Sequence, residues 1–282
     1  MSEARTYVIT GTSGRLAGAA KAHFEAAGNR VIGVDVAEGA DVVVDLSVPQ
    51  GRAQLVEQVG DLTGGRVDAV ISAAAMVGVF ADTARVVRTN YFGAIATLEG
   101  LRGFLAHSPA PRAVAFASVS LLHQPVPRLV DACLSGDEDA AAAIGETAED
   151  HAAVYTTTKR ALARWVRRQS VTPQWAGAGI TLNAVAPGIT RHETLQWDPT
   201  SEYARYMDVL EPRLLAPVSR PAHVVALLDW LTSVDNAATT GQVIFIDGGT
   251  EALLRGDDLW PGHWPDPHPS APMPPIAQEP SP

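Results

Sequence analysis

Short apolar runs of strand length alternate with longer helical patterns along most of this chain. Such an alternation is typical of a parallel β-sheet that is covered by helices. The predicted strands are Tyr7–Thr10, Val31–Val36, Val42–Val44, Ala69–Ser72, Ala113–Ala117, Thr181–Val185 and Gln242–Ile246. The predicted helices are Arg15–Ala27, Thr83–Leu105, a helix from about Ala152 to Trp175, and Pro221–Ser233. The sequence therefore predicts an α/β fold, with a doubly wound parallel sheet of about seven strands flanked by helices.

Three segments interrupt this alternation. Residues 124–150 contain two prolines, an acidic cluster and an alanine run, which predict an irregular stretch followed by a short helix. Residues 191–219 are polar and mixed in character. Both are expected to be substrate loops of a single domain, residues 1–255, because specificity usually resides in loops on a rigid frame. Residues 256–282 form a proline-rich C-terminal tail without apolar periodicity, which predicts an extended or disordered segment.

Charge and cysteine content exclude several classes of function. The net charge of −10 argues against nucleic-acid binding and against adsorption to an anionic membrane surface. The single cysteine, Cys133, allows no intramolecular disulfide and no zinc site built from several cysteines. The histidines show no metal-ligand spacing, so no metal is expected. No signal peptide and no membrane-spanning apolar run are visible, so we expect a cytoplasmic protein.

A glycine-rich turn joins the first predicted strand to the first helix and contains Gly11, Ser13 and Gly14. Glycines let the backbone approach a pyrophosphate closely, and the helix N-terminus at Arg15 and Leu16 would face that anion. This pattern indicates a dinucleotide site, although it is also compatible with an ordinary strand–helix turn.

Two aspartates follow the next predicted strands. Asp35 lies about 20 residues after the turn, where a carboxylate can accept hydrogen bonds from both ribose hydroxyls of NAD. Because the 2′-phosphate of NADP would meet Asp35 as a like charge, we expect NAD(H) as the cofactor. Arg15 is the competing selector, since its guanidinium could reach a 2′-phosphate. Asp45 could contact the adenine amino group, and either aspartate is alternatively a turn residue or a helix N-cap.

Tyr155 and Lys159 are four residues apart on a predicted helix, so both side chains point the same way. An ammonium beside a phenol favours phenolate and lowers the phenol pKa. A phenol tuned in this way can exchange a proton with a substrate oxygen near neutral pH. The pair also arises by chance with some frequency in a chain with five tyrosines.

Three further polar residues occupy suggestive positions. Ser118 follows the fifth predicted strand, at the sheet edge where ligands of open α/β sheets bind, and could hold a substrate carbonyl. Ser120 is the competing candidate, and either serine could be a plain turn residue. Asn90 lies inside a predicted helix, where asparagine is not favoured, so it is either a buried structural amide or part of a water relay.

Taken in order, these motifs resemble the short-chain dehydrogenase/reductase family. They are the glycine turn, Asp35, Asn90-Tyr91-Phe92-Gly93, Ser118, Tyr155 with Lys159, Asn183-Ala184-Val185-Ala186-Pro187-Gly188, and Asp247-Gly248-Gly249. The resemblance covers about Thr6 to Arg255. It implies a Rossmann-like fold and an NAD-dependent oxidoreductase that interconverts a secondary alcohol and a ketone.

The resemblance also implies residue roles. Tyr155 would be the catalytic acid/base, Lys159 would bind the nicotinamide ribose and lower the tyrosine pKa, and Ser118 would orient the substrate oxygen. Asn90 would hold a water in a proton relay to Lys159. Pro187 and Gly188 would line the nicotinamide, Ile189 and Thr190 would contact its carboxamide, and Ala74 would lie along the adenosine ribose. The complete predicted cofactor set is Gly11, Ser13, Gly14, Arg15, Leu16, Asp35, Asp45, Leu46, Ala73, Ala74, Asn90, Tyr155, Lys159, Pro187, Gly188, Ile189 and Thr190.

The chain departs from the common family pattern in three places. Its glycine turn has Gly14 with Arg15 and Ala17, a spacing closer to the extended, epimerase-like branch. The usual Asn-Asn-Ala-Gly after the fourth strand is Ser-Ala-Ala-Ala at residues 72–75, which weakens the expected cofactor contact. Ser118 and Tyr155 are 37 residues apart, a long insert that resembles the bacterial 3α-hydroxysteroid dehydrogenase/carbonyl reductase group of this family.

These observations favour a bulky alicyclic, steroid-like or terpenoid substrate, because the segments expected to form the pocket have mixed apolar content. A homodimer or homotetramer is expected. Two alternatives stay open from the sequence: a sugar-nucleotide epimerase or dehydratase, and a nonenzymatic dinucleotide sensor. The first would need a larger C-terminal domain than this chain offers, and the second has no use for a tuned phenol.

Overall fold

The computed structural model describes residues 4–76, 82–190, 200–201, 205, 208–213, 215 and 219–257. Within them, one sheet of seven parallel strands has the order β3-β2-β1-β4-β5-β6-β7. The strands are β1 Thr6–Thr10, β2 Arg30–Asp35, β3 Val42–Val43, β4 Ala69–Ser72, β5 Arg112–Phe116, β6 Thr181–Pro187 and β7 Val243–Ile246. The predicted doubly wound α/β fold is therefore confirmed.

Helices cover both faces of this sheet. Their bounds are α1 Arg15–Ala26, α2 Pro49–Thr63, α3 Thr83–Val87, α4 Ala94–Leu105, α5 Pro127–Ser135, α6 Glu138–Glu146, α7 His151–Gln169, α8 Pro221–Thr232 and α9 Thr250–Arg255. On one face, α1 and α8 bury side chains such as Phe24 and Leu228 against the strands. On the other face, α2, α4 and α7 do the same with Leu55, Leu98 and Leu162.

Strand register brings the ends of the central strands to one edge. Thr10 of β1 pairs with Val34 of β2 and with Ser72 of β4. Because β1 lies between β2 and β4, the winding of the chain reverses there, and the carboxyl ends of β1 and β4 border a crevice. Such crevices are where open α/β sheets bind ligands. The residues directly after each strand therefore share one edge of the sheet.

The predicted insert, residues 124–150, contains two helices rather than an irregular stretch with one short helix. Pro127 starts α5, and Gly136 ends it in the left-handed conformation with a φ of 81°. Asp137 then caps α6 by accepting a hydrogen bond from the backbone N–H of Ala140 at 3.0 Å. The prolines that indicated irregularity thus mark a helix start, a position that tolerates proline because no backbone donor is needed there.

Two other helical predictions need correction. Helix α7 ends at Gln169 rather than near Trp175; it could not have reached Trp175, because Pro173 has no N–H with which to continue the helical pattern. Trp175 is nevertheless fully buried and packs edge-on against Trp165. The predicted helix at 83–105 is interrupted by a π-helical turn, Arg88–Gly93, between α3 and α4. Among the described helices, none is long and apolar enough to span a membrane.

Candidate active site

Helix α7 places Tyr155 and Lys159 on one face, as the four-residue spacing predicted. Asp150 caps the start of the helix, since its carboxylate accepts from the backbone N–H groups of Ala152 and Ala153 at 2.9 and 3.1 Å. The Lys159 side chain is buried, and its Nζ donates a hydrogen bond to the backbone carbonyl of Phe116 at 2.8 Å. The same Nζ lies 5.8 Å from the centre of the Tyr155 ring. The end of β5 therefore fixes the ammonium beside the phenol.

The ionisation of this pair differs from the sequence argument. Burial raises the pKa of Tyr155 to about 12, and a hydrogen bond with Ser118 opposes that rise. Burial lowers the pKa of Lys159 to about 8. The net shift of the Tyr155 pKa in this structure is therefore upward, because the cost of burying a phenolate outweighs the opposing effect of Ser118. Near neutral pH the phenol is protonated and is ready to donate.

Ser118 lies two residues after the end of β5 and reaches the phenol of Tyr155. Its Oγ also accepts a hydrogen bond from the backbone N–H of Ser120 at 3.2 Å, which caps the short helical turn Val119–Leu122. Ser120, the competing candidate, is buried, and its hydroxyl has no hydrogen-bond partner among the described residues. The structure thus places Ser118, and not Ser120, against Tyr155.

Asn90 lies in the π-helical turn and is fully buried. Its Oδ1 accepts from the backbone N–H of Met76 at 2.8 Å, and its Nδ2 donates to the carbonyl of Met76 at 3.0 Å. The side-chain amide is thereby engaged by the segment that follows β4. This geometry is that of a buried structural amide, the first of the two alternatives that the sequence left open.

The glycine turn has the shape that a phosphate cradle requires. Gly11 has a φ of 80°, and a Cβ there would lie 2.7 Å from Cα of Ala74, so no other residue fits without displacement. Helix α1 begins at Arg15 after Gly14, with neither a side-chain cap nor an acidic residue in its first turn. Leu16 belongs to the same turn. An uncapped helix N-terminus behind a tight glycine turn favours an anion, so these residues fit a dinucleotide pyrophosphate.

Asp35 ends β2 beside this cradle. One carboxylate oxygen accepts from the backbone N–H of Ser13 at 2.9 Å and the other from that of Ala37 at 3.1 Å. Ala73 and Ala74 follow β4, and the backbone N–H groups of both bind the Thr10 hydroxyl at 3.0 Å. The glycine turn, Asp35 and the alanines thus meet at one crevice.

Asp45, unlike Asp35, forms an ion pair with an arginine. Its carboxylate accepts from the backbone N–H of Ser47 at 2.8 Å and pairs with Arg85 at 3.0 Å. These contacts match the turn-residue alternative. Leu46 is buried, and its carbonyl lies so close to Gly93 that a Cβ on that glycine would approach it to 2.9 Å.

The segment after β6 lies on the other side of the crevice. Gly188 packs on the backbone after β7, where an added Cβ would meet Cα of Asp247 at 2.9 Å. Pro187 ends the strand, and Thr190 Oγ1 donates to the carbonyl of Gly188 at 3.1 Å. The backbone N–H of Ile189 donates to a side chain that the sequence analysis did not single out, the carboxylate of Glu211, at 3.1 Å.

Glu211 is a buried acid whose charge acts on Tyr155. It is 9% exposed, and burial raises its pKa to about 7 against the opposing effects of Ile189 and Arg213. Its charge in turn raises the pKa of Tyr155. No pattern could have identified it, because it is one of several acids in a segment without periodicity. Within the described part of the chain, no group of His, Cys, Asp or Glu side chains is placed to hold a metal ion.

Comparison with known proteins gives a consistent result. A family model described as enoyl-(acyl carrier protein) reductase matches residues 140–251. The 3-alpha-hydroxysteroid dehydrogenase/carbonyl reductase of Comamonas testosteroni is 30% identical over 88% of this chain and 97% of its own. The crystal structure of the 3-alpha-hydroxysteroid dehydrogenase from Pseudomonas sp. B-0831 complexed with NADH is 33% identical, with a TM-score of 0.80, and the match covers 89% of this chain and 99% of that one.

A more distant structure shares the fold alone. The RhlG/NADP active-site complex from Pseudomonas aeruginosa is 21% identical with a TM-score of 0.68, over 88% of this chain and 97% of its own. Identity of 30% over nearly all of both chains is, by contrast, evidence of a common family. The chain therefore belongs to the short-chain dehydrogenase/reductase family and is an oxidoreductase that acts on CH–OH groups.

Proposed function

We propose that this enzyme interconverts a secondary alcohol and a ketone with NAD(H), and that Tyr155 is its acid/base. The observation that carries the proposal is the contact of the Tyr155 phenol with Ser118, backed by buried Lys159, on the crevice that also contains the glycine turn. The epimerase and sensor alternatives lack comparable support, since the two relatives matched above over nearly their whole length are named as dehydrogenases. The cytoplasm is the setting proposed for this activity.

Three side chains, those of Tyr155, Ser118 and Lys159, have separate roles in the proton transfer. In ketone reduction, the protonated phenol of Tyr155 gives its proton to the carbonyl oxygen, which the Ser118 hydroxyl orients. Lys159 holds a positive charge beside the phenolate that results and so limits the energy of that anion. In alcohol oxidation, Tyr155 takes the proton back. The bound nicotinamide would supply or accept the hydride.

The preference for NAD(H) rests on Asp35. Its carboxylate lies at the end of β2, next to the first turn of α1, where the adenosine ribose would bind. A 2′-phosphate would meet a like charge there. Arg15, the competing selector, is exposed at the start of α1, and its side chain forms no ion pair or hydrogen bond with the described residues.

A bulky alicyclic, steroid-like substrate is proposed from the relatives. Two proteins at 30% and 33% identity are named as 3-alpha-hydroxysteroid dehydrogenases, and each is matched over nearly its whole length. The segment expected to line the substrate pocket, residues 191–219, lies mostly outside the described residues, as does the tail after residue 257.

The test is reduced-nicotinamide absorbance with a panel of cyclic alcohols and ketones, for wild type and Tyr155→Phe. We expect the variant to lose on the order of a thousandfold in kcat while its Kd for the cofactor stays nearly unchanged, because only the phenolic proton is lost. Tyr7→Phe is the matched control, since Tyr7 stacks on Phe24 in the core under α1. Comparable turnover by Tyr155→Phe and wild type would remove Tyr155 from the mechanism.

A further inference from the structure

The Glu211 carboxylate has a position that the acid/base chemistry does not require. It accepts a hydrogen bond from the backbone N–H of Ile189, directly after the Pro187-Gly188 end of β6. The chain that follows Glu211 is bonded to the end of β7, where the backbone N–H of Leu215 donates to the carbonyl of Gly248 at 3.3 Å. The carboxylate is therefore held between the carboxyl ends of β6 and β7, inside the crevice.

Charged and titratable groups face Glu211 from three elements. From α7, Tyr155 lies within electrostatic range, since the Glu211 charge raises the tyrosine pKa. From the end of β7, Asp247 acts as a second negative charge, and from its own segment Arg213 acts as a positive one. The guanidinium of Arg213 also forms an ion pair with Asp208 at 2.9 Å. Glu211 is thus incompletely neutralised by its described neighbours.

The geometry of the reaction determines where the nicotinamide ring must lie relative to Tyr155 and Glu211. A substrate oxygen that exchanges a proton with Tyr155 is one bond from the carbon that exchanges hydride. The nicotinamide ring must contact that carbon, so it must lie within a few ångströms of the phenol. The Glu211 carboxylate is bonded to the backbone N–H of Ile189 at the carboxyl end of β6, at the same edge of the sheet as the phenol, and so it borders the space that the ring must occupy.

We propose that Glu211 makes the site bind the oxidised, positively charged nicotinamide in preference to the reduced, neutral one. The inference rests on the proposed function and deepens it, since it says which oxidation state of the cofactor the site binds more tightly. Opposite charges a few ångströms apart attract strongly in a medium of effective dielectric constant near 20, whereas a neutral ring gains no such attraction. An ionised Glu211 therefore stabilises the complex with NAD⁺ selectively.

This preference must depend on pH. Since burial raises the pKa of Glu211 to about 7, the carboxyl is largely neutral at pH 6.0 and largely ionised at pH 7.5. The pKa of Lys159 lies near 8, so measurements up to pH 7.5 leave that lysine mostly protonated. Binding of NAD⁺ near pH 7 should also release protons, because the ring charge favours the ionised carboxylate.

The experiment measures Kd for NAD⁺ and for NADH by isothermal titration calorimetry, at pH 6.0 and 7.5, without substrate. We expect Glu211→Gln to shrink the ratio Kd(NADH)/Kd(NAD⁺) by on the order of tenfold at pH 7.5 and much less at pH 6.0. Asp229→Asn is the matched control, since it removes an exposed acid that pairs with His23 at 3.3 Å. Repeating the NAD⁺ titration in buffers of different ionisation enthalpy counts the protons released.

The outcomes separate the possibilities. A ratio that Glu211→Gln leaves unchanged while both Kd values move together would mean a structural role only and would overturn the inference. If the variant does not fold, wild type decides alone: its ratio must rise from pH 6.0 to 7.5 with proton release on NAD⁺ binding, and a flat ratio overturns the inference. Failure of wild type to bind either cofactor would instead defeat the proposed function, and the inference with it.

Discussion

At the scale of single residues, the carboxylate of Asp35 is held in place by two backbone N–H groups, those of Ser13 and Ala37. This anchoring leaves the acid at the ribose end of the crevice with no described cation bonded to it. We predict that Asp35→Ala lowers the ratio of kcat/KM for NAD to that for NADP by on the order of a hundredfold, because like-charge repulsion at a desolvated contact is removed. Steady-state kinetics with any substrate that turns over measures this ratio.

Glu38→Ala is the matched control for this prediction, since Glu38 is an exposed acid three residues further along the chain. It should leave the cofactor ratio unchanged. If wild type prefers NADP, or if Asp35→Ala does not move the ratio, the selector is not Asp35, and Arg15 becomes the residue to substitute.

Glu211 should also reduce the stability of the fold at neutral and higher pH. Its pKa in the folded state, about 7, lies above the ordinary 4.5. The folded state therefore binds more protons than the unfolded state between these pH values, and the free energy of unfolding falls as pH rises through that window. We predict that Glu211→Gln is about 1–3 kcal/mol more stable than wild type at pH 8.5 and equally stable below pH 4.5.

Urea denaturation at the two pH values measures this difference. The glutamine keeps an oxygen that can accept from Ile189, so the substitution removes charge without removing the hydrogen bond. Exposed Glu57→Gln on α2 is the control and should change stability little at either pH. A variant that is less stable than wild type at pH 8.5 would show that the ionised carboxylate stabilises the fold.

The site residues that sequence reasoning found are those with a fixed spacing. Tyr155 and Lys159 lie on one helical face, Asp35 ends a strand and Ser118 follows a strand by two residues, so sequence position alone determines where they lie. Glu211 and the high phenol pKa could not be found in this way. Both depend on burial produced by contacts between distant segments, which no local pattern encodes.

At the scale of elements, the insert is joined to the sheet domain by Arg52 of α2. Its guanidinium binds both carboxylate oxygens of Glu138, at 2.7 Å each, where α6 begins. The same guanidinium donates to the carbonyls of Leu46, Ser47 and Arg88. One side chain therefore connects α2, the β3–α2 turn, the π-helical turn and the insert.

We predict that Arg52→Met lowers the free energy of unfolding by about 2–4 kcal/mol, because it leaves Glu138 and three backbone carbonyls without their donor. Chemical denaturation measures the loss. Arg102→Met is the control, since Arg102 is more exposed than Arg52 and pairs with Glu99 on its own helix at 3.0 Å. If the two variants lose equal stability, the bidentate pair is no stronger than a surface ion pair.

The helices and strands that could be predicted from the sequence are those with a clear apolar pattern. All seven strands were predictable, because each is an apolar run between turn residues. Helix α2 was missed because its buried residues are Gly51, Leu55 and Val59, so its apolar stripe is one residue wide and includes a glycine. The short helix α9 was missed as well, since six residues are too few to show a helical period.

At the scale of the whole molecule, the insert covers part of one helical face of the domain. In the family resemblance, the long helices equivalent to α4 and α7 form one interface of a tetramer. Here α5 packs on α7 and α6 packs on α3, so part of that face is covered by the chain itself. Among the described residues, β7 is the edge strand at the opposite end of the sheet, and Trp230 of α8 and Leu254 of α9 are exposed.

We therefore predict a homodimer that forms through α8 and β7 and not a tetramer. An unpaired edge strand next to exposed apolar side chains is a surface that a second copy can cover, and closed two-fold dimers are the commonest assemblies of this kind. Light scattering at micromolar concentration should give twice the chain mass of 29.7 kDa. Trp230→Glu should give the single-chain mass, because the new charge would be buried in the interface.

Val171→Glu is the matched control, since Val171 is more exposed than Trp230 but follows α7, on the far side of the sheet from α8. It should leave the dimer intact if the interface lies where β7 and α8 place it. A tetramer mass for wild type would mean that α5 and α6 do not obstruct the helical face. A dimer that Trp230→Glu leaves intact and Val171→Glu disrupts would place the interface on the α7 side, despite the insert.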